Sequence, residues 1–264
     1  MRYTISLVLI CLLASCSTTP QQKQSAASRY QKVQGKTMGT TYNVTYRGKA
    51  GKQAAIDSVL SVVNKDVNTY DPKSTISLFN QAQVGSDLSE KRHRHFINNY
   101  KTAVQVAKAT QGAFDPTVMP LVNYWGFGYT PKKPVTKVDS LAVDSLLQLV
   151  GLDKISYRNT ILQKTIPAVQ LDFSALAKGY GVDEIGRMLE ADSIQNYMVE
   201  IGGEVRARGV NSKGKAWTIG INRPAEGAAT SDLQASLALK NQSVATSGNY
   251  RNFYEIDGVK YSHT

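Results

Sequence analysis

The sequence predicts an α+β fold, on three observations. Helical spacings of apolar residues dominate the first half of the chain, short β-like runs dominate from Lys154 onward, and no period of 20 to 50 residues repeats. The last point removes solenoids and propellers. The chain has 264 residues, 42% of them hydrophobic and 19% charged, with 20 Gly and 8 Pro. Such a composition excludes a disordered tail, a collagen-like rod or a polytopic membrane protein, and the length permits one large domain or two small ones.

The elements follow in order. Arg2 supplies a positive start, and Ile5 to Leu13 form an apolar stretch too short to span a membrane as a mature helix. It ends in Leu13-Ala14-Ser15-Cys16, which resembles a bacterial lipobox. Residues 1–16 then read as a lipoprotein signal peptide with Cys16 as the lipidation site. Residues 17–32, rich in Ser, Thr, Gln and Ala, read as a flexible tether, and residues 33–264 as the folded domain. The alternative is an ordinary secretory signal with an incidental cysteine. Either places the domain outside the cytoplasm. Cys11 and Cys16 are the only cysteines, so the rest of the chain holds neither a disulfide framework nor a thiolate metal site.

Val33 to Tyr46 alternate loosely around Met38-Gly39, predicting a strand or hairpin. Ile56, Val59, Leu60, Val63 and Val67 predict one amphipathic helix, and Phe96, Tyr100, Ala103, Val104 and Ala107 a second, with Gly112 near its C-terminal cap. Ala113 to Lys133, rich in aromatics, Pro and Gly, reads as an ordered loop. A third helix, Asp139 to about Val150, is expected to bury Leu141, Leu146 and Leu147. Strands are expected at Ile155 to Arg158, Ile161 to Lys164 and Ala168 to Phe173, then a helix from Ser174 to about Glu190. Further strands are expected at Tyr197 to Ile201, Glu204 to Gly209, Ala216 to Asn222 and Leu233 to Lys240. A final hairpin would turn at Asp257-Gly258.

Chemistry concentrates in Asp172-Phe173-Ser174-Ala175-Leu176-Ala177-Lys178-Gly179-Tyr180. A helix starting there offers backbone amides and its macrodipole to an anion, with Ser174 capping near Ala177 and Lys178 adding a full charge. A phosphate would fit, and a carbonyl at the turn would face a hard cation. Equally, Asp172 and Ser174 read as competing caps and Lys178 as a solvated side chain. Asp115, held extended before Pro116, reads either as an acceptor for a ligand's amino or hydroxyl group or as an Asx-type turn. Tyr124, Trp125, Phe127 and Tyr129 read as a packed loop core or as a ring-stacking wall. Gly202-Gly203 marks a bend or bulge where backbone or ligand comes close.

The formal charge is +11, but the 31 Lys and Arg are scattered. The one dense run, Lys91-Arg92-His93-Arg94-His95, lacks interleaved aromatics and reads as a solvated helix entrance, not a nucleic-acid patch. A small anionic ligand suits this balance better. With three histidines and no G-x-S-x-G, a Ser-His-Asp triad has little support, and zinc has none.

Seven blocks carry a family resemblance: Met38-Gly39-Thr40-Thr41-Tyr42, Ser74-Thr75-Ile76-Ser77-Leu78-Phe79-Asn80, Gly112-Ala113-Phe114-Asp115-Pro116-Thr117, Asp172 to Tyr180, Glu200-Ile201-Gly202-Gly203-Glu204, Ala245-Thr246-Ser247-Gly248-Asn249-Tyr250, and Tyr261-Ser262-His263. Across residues 33–264 they resemble, in order, the FAD:protein FMN transferases, the ApbE family of flavin transferase lipoproteins. That resemblance implies a T-fold-like β-sheet core with helices. It also implies magnesium-dependent cleavage of FAD and transfer of FMN to a Thr or Ser hydroxyl of an exported flavoprotein, with release of AMP. It carries Met38, Tyr70, Ala113, Phe114, Asp115, Asp172 and Lys178 over as FAD-binding residues, the Ala175 carbonyl as a metal ligand, and His263 as the base for the acceptor hydroxyl. The Lys178 position is also acidic in some relatives.

In the family the strand holding His263 continues, and an Asp and a Thr farther on supply side-chain metal ligands. The present sequence stops at Thr264, so its C-terminal part is expected to be missing and the 264-residue form to transfer poorly. Two other functions remain open: FAD pyrophosphatase activity giving FMN and AMP, and a non-catalytic, lipid-anchored flavin-binding lipoprotein. The partners expected are FAD, an acceptor such as a subunit of a membrane redox complex, and the membrane through its lipid anchor, facing the periplasm. No nucleic acid is expected.

Overall fold

A computed structural model of the chain describes residues 29–131, 135–225, 227–229, 231–249 and 253–263. Cys16 and the expected signal peptide lie outside the described residues, as does Lys133. Strands β1 (Tyr30–Thr37) and β2 (Thr40–Arg47) form a hairpin whose two turn residues, Met38 and Gly39, have φ of 47° and 73°. Two successive positive φ values match the right-handed twist of the flanking strands. β1 begins at Tyr30, inside the segment expected as tether, because its backbone pairs with β2 through to Arg47.

Helix α1 (Gln53–Val67) follows, then α2 (Thr75–Gln81), which the sequence reading had not separated out; Ser74 caps it by accepting from the Ser77 amide at 3.2 Å. After the short strand β3 (Gly85–Asp87) comes α3 (Arg94–Ala109). Its first amides are held from another helix: Asp66 accepts from His95 N at 3.1 Å and Phe96 N at 3.2 Å. A buried carboxylate thereby faces the positive end of the α3 dipole. Within the run expected to be a solvated entrance, Lys91, Arg92 and Arg94 are exposed, but His95 is buried.

The aromatic segment expected as a loop contains α4 (Met119–Tyr124), which begins with Pro near its N-terminus, where a missing N–H costs nothing. α5 (Ser140–Leu147) is capped by Asp139, yet Leu141 is 79% exposed and Leu147 47%. The expected burial fails because α5 packs on α4 and lies over neither large core. β4 (Ile155–Arg158) and β5 (Ile161–Lys164) form with β3 a sheet in the order β3-β5-β4. Ala168 to Phe173 is no strand: its one ladder contact is a parallel bridge between Val118 and Gln170.

α6 (Ser174–Ala191) leads to β6 (Tyr197–Ile201) and β7 (Glu204–Arg208). Next come β8 (Trp217–Asn222), β9 (Leu233–Leu239) and β10 (Gln242–Val244), and last the hairpin β11 (Phe253–Ile256) and β12 (Val259–Ser262). The main sheet is antiparallel with the order β1-β2-β6-β7-β10. It therefore draws strands from both ends of the chain. The division into a helix-rich half and a sheet-rich half holds along the sequence but not in space, because the β1–β2 hairpin needs a partner for its edge and β6 supplies one.

Two cores result. Tyr42, Val44, Tyr46, Val199 and Ile201 of the sheet bury against Ile56 and Leu60 of α1 and Val182, Ile185 and Leu189 of α6. Ile76, Phe79, Phe96, Leu162, Leu171 and Phe173 build the other between the α1–α3 helices and the small sheet. α6 and α1 contribute to both, so the start of α6 lies at the seam.

Candidate active site

At that seam a cleft of about 1030 Å³ opens between the Met38-Gly39 turn, α1 and the N-terminal end of α6. Its walls include Lys36, Met38, Asp57, Lys65, Tyr70, Ser174 and Lys178. Met38 leaves the hairpin at positive φ and packs against the second core described above. Tyr70 is 63% exposed, so its ring is free to meet a guest. Burial of its hydroxyl and, next, the charge of Asp172 raise its pKa.

The start of α6 departs from the capping expected. Phe173 occupies the N-cap, and Ser174 is the first helical residue. Asp172 Oδ1 accepts from Ser174 N at 2.8 Å and Ser174 Oγ at 2.6 Å, while the Ala177 amide bonds Phe173 O at 2.8 Å. An Asp two residues upstream forms the local Asx turn, and the Ala177 amide is already given to the Phe173 carbonyl, so Ser174 does not cap it. Burial pushes the Asp172 carboxyl above its ordinary pKa of 3.8, and the two Ser174 hydrogen bonds oppose that rise.

One turn on, Lys178 Nζ lies 3.1 Å from Glu204 Oε1 and 3.0 Å from Oε2. Glu204 begins β7 directly after the Gly202-Gly203 turn, where φ is 54° and 99°. A Cβ on Gly202 would sit 2.7 Å from Thr40 Cγ2, so glycine there serves both the turn and a close side-chain approach. Lys178 thus meets the cleft already paired, and a phosphate arriving there shares it with Glu204.

Asp115 Oδ1 accepts from Thr117 N at 2.8 Å and Thr117 Oγ1 at 2.6 Å, the Asx turn left open by the sequence. Phe114 packs on the same core as Met38, and Ala113 is exposed. The block nevertheless reaches the start of α6, since the Asp172 amide donates to Pro116 O at 2.7 Å. The aromatic loop forms a packed cluster: Trp125 stacks on Tyr261 at 5.2 Å, Phe127 stacks on Tyr254 at 5.4 Å, and the Phe127 and His263 rings lie 5.6 Å apart. His263 is outside the cleft wall. Its link to the cleft runs through Phe127, whose carbonyl accepts from Tyr70 Oη at 3.4 Å.

Among the described residues, no group of three or more His, Cys, Asp or Glu is placed to hold a metal ion. Asp172 and the exposed Ala175 flank the cleft-lining Ser174 at the start of α6, and the oxygens they carry, a carboxylate and a backbone carbonyl, are hard donors. That set fits magnesium, which takes one or two protein oxygens and completes its shell with water and substrate phosphates.

Sequence reasoning missed Glu204 as the partner of Lys178, and missed Lys36, Asp57 and Lys65. Glu204 stands in a block singled out for its glycines, but nothing in the spacing ties it to a lysine 26 positions earlier.

The ApbE family model matches residues 38–264. An FAD:protein FMN transferase of Vibrio cholerae is 35% identical over 99% of this chain and 76% of its own length. One of Haemophilus influenzae is 38% identical over 88% of this chain and 69% of its own. The solved flavin transferase ApbE from Vibrio cholerae superposes with a TM-score of 0.77 at 35% identity, covering 89% of this chain and 75% of that one.

Proposed function

From the premise that the chain belongs to the ApbE family, we propose how its cleft serves flavin transfer. The protein is a transferase, an FAD:protein FMN transferase, with FAD as substrate and a flavoprotein as acceptor. In our reading the pyrophosphate of FAD lies at the start of α6, where the helix dipole favours negative charge. Met38 and Tyr70 contact the flavin nucleotide, and Ala113, Phe114 and Asp115 border the adenine side. Asp172 and Lys178 line the phosphate region.

In the transfer step a Thr or Ser hydroxyl oxygen of an exported acceptor attacks the FMN-side phosphorus. A new P–O bond forms, the bridging P–O bond breaks, AMP leaves with the bond's electrons, and the hydroxyl proton passes to His263. Magnesium, when bound, neutralises charge on the nonbridging phosphate oxygens, and the Ala175 carbonyl is the backbone ligand this chain offers it. We further propose that Cys16 carries lipid and tethers the enzyme to a membrane on its periplasmic face. A Cys16→Ser chain losing both fatty-acid labelling and membrane association supports that tether; retention of both refutes it.

The observation supporting the site is the convergence of Met38, Tyr70, Ser174 and Lys178, from separate parts of the chain, on one cleft, with Asp172 hydrogen-bonded to Ser174 at its edge. Incubation with FAD, magnesium and an acceptor peptide, followed by mass spectrometry, tests it. Addition of FMN to the peptide, matched by release of AMP, supports the reading. Free FMN and AMP without acceptor would instead indicate a pyrophosphatase, and FAD binding without AMP a carrier.

A further inference from the structure

Two other sequence blocks are tied to the side chain of Asn80 through the single residue Leu171. Asn80, the last residue of the Ser74–Asn80 block, is buried, and both ends of its amide grip the backbone of Leu171: Nδ2 donates to Leu171 O at 2.9 Å, and Leu171 N donates to Oδ1 at 2.8 Å. On its opposite edge, this segment is held by backbone. The Asp172 amide donates to Pro116 O at 2.7 Å, and Gln170 bridges Val118. Residues 170–172, though no strand, are thus held between the backbone of Pro116–Val118 on one flank and a side-chain amide on the other. The carboxylate-bearing residues Asp115 and Asp172 sit immediately beside these anchored positions.

Asn80 is itself braced. Lys164 Nζ donates to Asn80 O at 3.0 Å and to Pro167 O at 2.9 Å, and it lies 5.0 Å from the centroid of the Phe79 ring. A buried ammonium placed on carbonyls and an aromatic face locks the end of α2 against β5.

We propose that Asn80, braced by Lys164, is a positioning residue for FAD: it fixes the backbone from which Asp172 and the start of α6, and through Pro116 the Ala113–Asp115 block, meet the nucleotide. This rests on the reading that the cleft binds FAD. Asn80 lines no part of the cleft, so its effect passes wholly through Leu171. An amide suits the task because it both donates and accepts in one plane. A carboxylate of the same shape only accepts, and would set its second oxygen against Leu171 O.

The test uses the whole chain with Asn80→Asp, and reads the FAD dissociation constant by flavin fluorescence, KM for FAD and for acceptor separately, and the thermal melt. FAD affinity and KM for FAD are expected to weaken about tenfold, the effect of one lost buried hydrogen bond left unsatisfied, with KM for acceptor unchanged. A residue contributing stability alone would lower the melting temperature and the active fraction but leave both FAD constants at wild-type values. That result, in a folded variant, overturns the proposal. Should Asn80→Asp not fold, Lys164→Met decides: it keeps both Leu171 bonds and removes the brace, and a wild-type FAD constant there refutes the role. Failure of the unaltered chain to bind FAD would instead refute the function proposed above.

Discussion

Around the cleft, α1, α6 and the sheet residues Tyr42, Val44 and Val199 close over one core, while Phe79, Phe96 and Phe173 pack as a contiguous aromatic group in the other, with ring centroids 6.1 and 5.2 Å apart. The C-terminal hairpins differ. β9 exposes six of its seven residues, including Leu233 and Leu237, and Ile256 is the one buried residue of β11 and β12. The third cluster, Val205, Ala207, Trp217 and Leu239, is small. A two-stranded ribbon has little stability of its own, so β11–β12 depends on the aromatic loop through Trp125 and Phe127. The nucleotide side is thus rigidly founded, whereas the candidate base His263 rides on a ribbon held by ring stacking. In the proposed reading, binding and proton transfer are therefore lodged in regions of unequal packing.

If that division is real, His263→Gln should lower transfer by about a hundredfold or more, the range of lost general-base catalysis, with FAD affinity and melting temperature unchanged. An equal loss of FAD affinity would erase the distinction. Next in size, Phe96→Ala is expected to cost about 3 to 5 kcal/mol in urea unfolding, since the ring is fully buried between Phe79 and Phe173. A loss below about 1 kcal/mol would mean that this core is loosely packed.

A pH experiment sharpens the same point. Burial lowers the Lys164 pKa from its usual 10.5 to about 8. Between those values the unfolded chain binds more protons than the folded one, so stability should rise with pH across the window. Wild type minus Lys164→Met isolates that rise, because both chains share every other titrating group; a flat difference curve would show that the lysine is solvated. Smallest, Leu237→Ser on β9, 39% exposed, should change stability by no more than about 0.5 kcal/mol. A larger cost would reveal that the β8–β9 face is covered in solution.

Much of the fold could be read from local pattern. Strand periods at Ile161 to Lys164 and Tyr197 to Ile201 coincide with β5 and β6, and Met38-Gly39 and Asp257-Gly258 are the hairpin turns, because alternation and positive-φ turn chemistry are properties of neighbouring residues. α2 and α4 escaped notice because they run seven and six residues, too short for a 3.6-residue period to declare itself. Leu141 misled for the opposite reason: its helical spacing is sound, but spacing does not say whether a partner surface exists.

The sequence by itself determined the α+β class and the family, and it singled out the residues proposed to carry the chemistry, since a block such as Asp172 to Tyr180 is contiguous and keeps its identity wherever it folds. Only the tertiary structure decided their relations: Glu204 beside Lys178, 26 positions away, and Asn80 gripping the backbone of Leu171, 91 positions away. Those contacts join positions far apart in the chain, and no local periodicity encodes which distant donor will reach a given acceptor once two cores have closed.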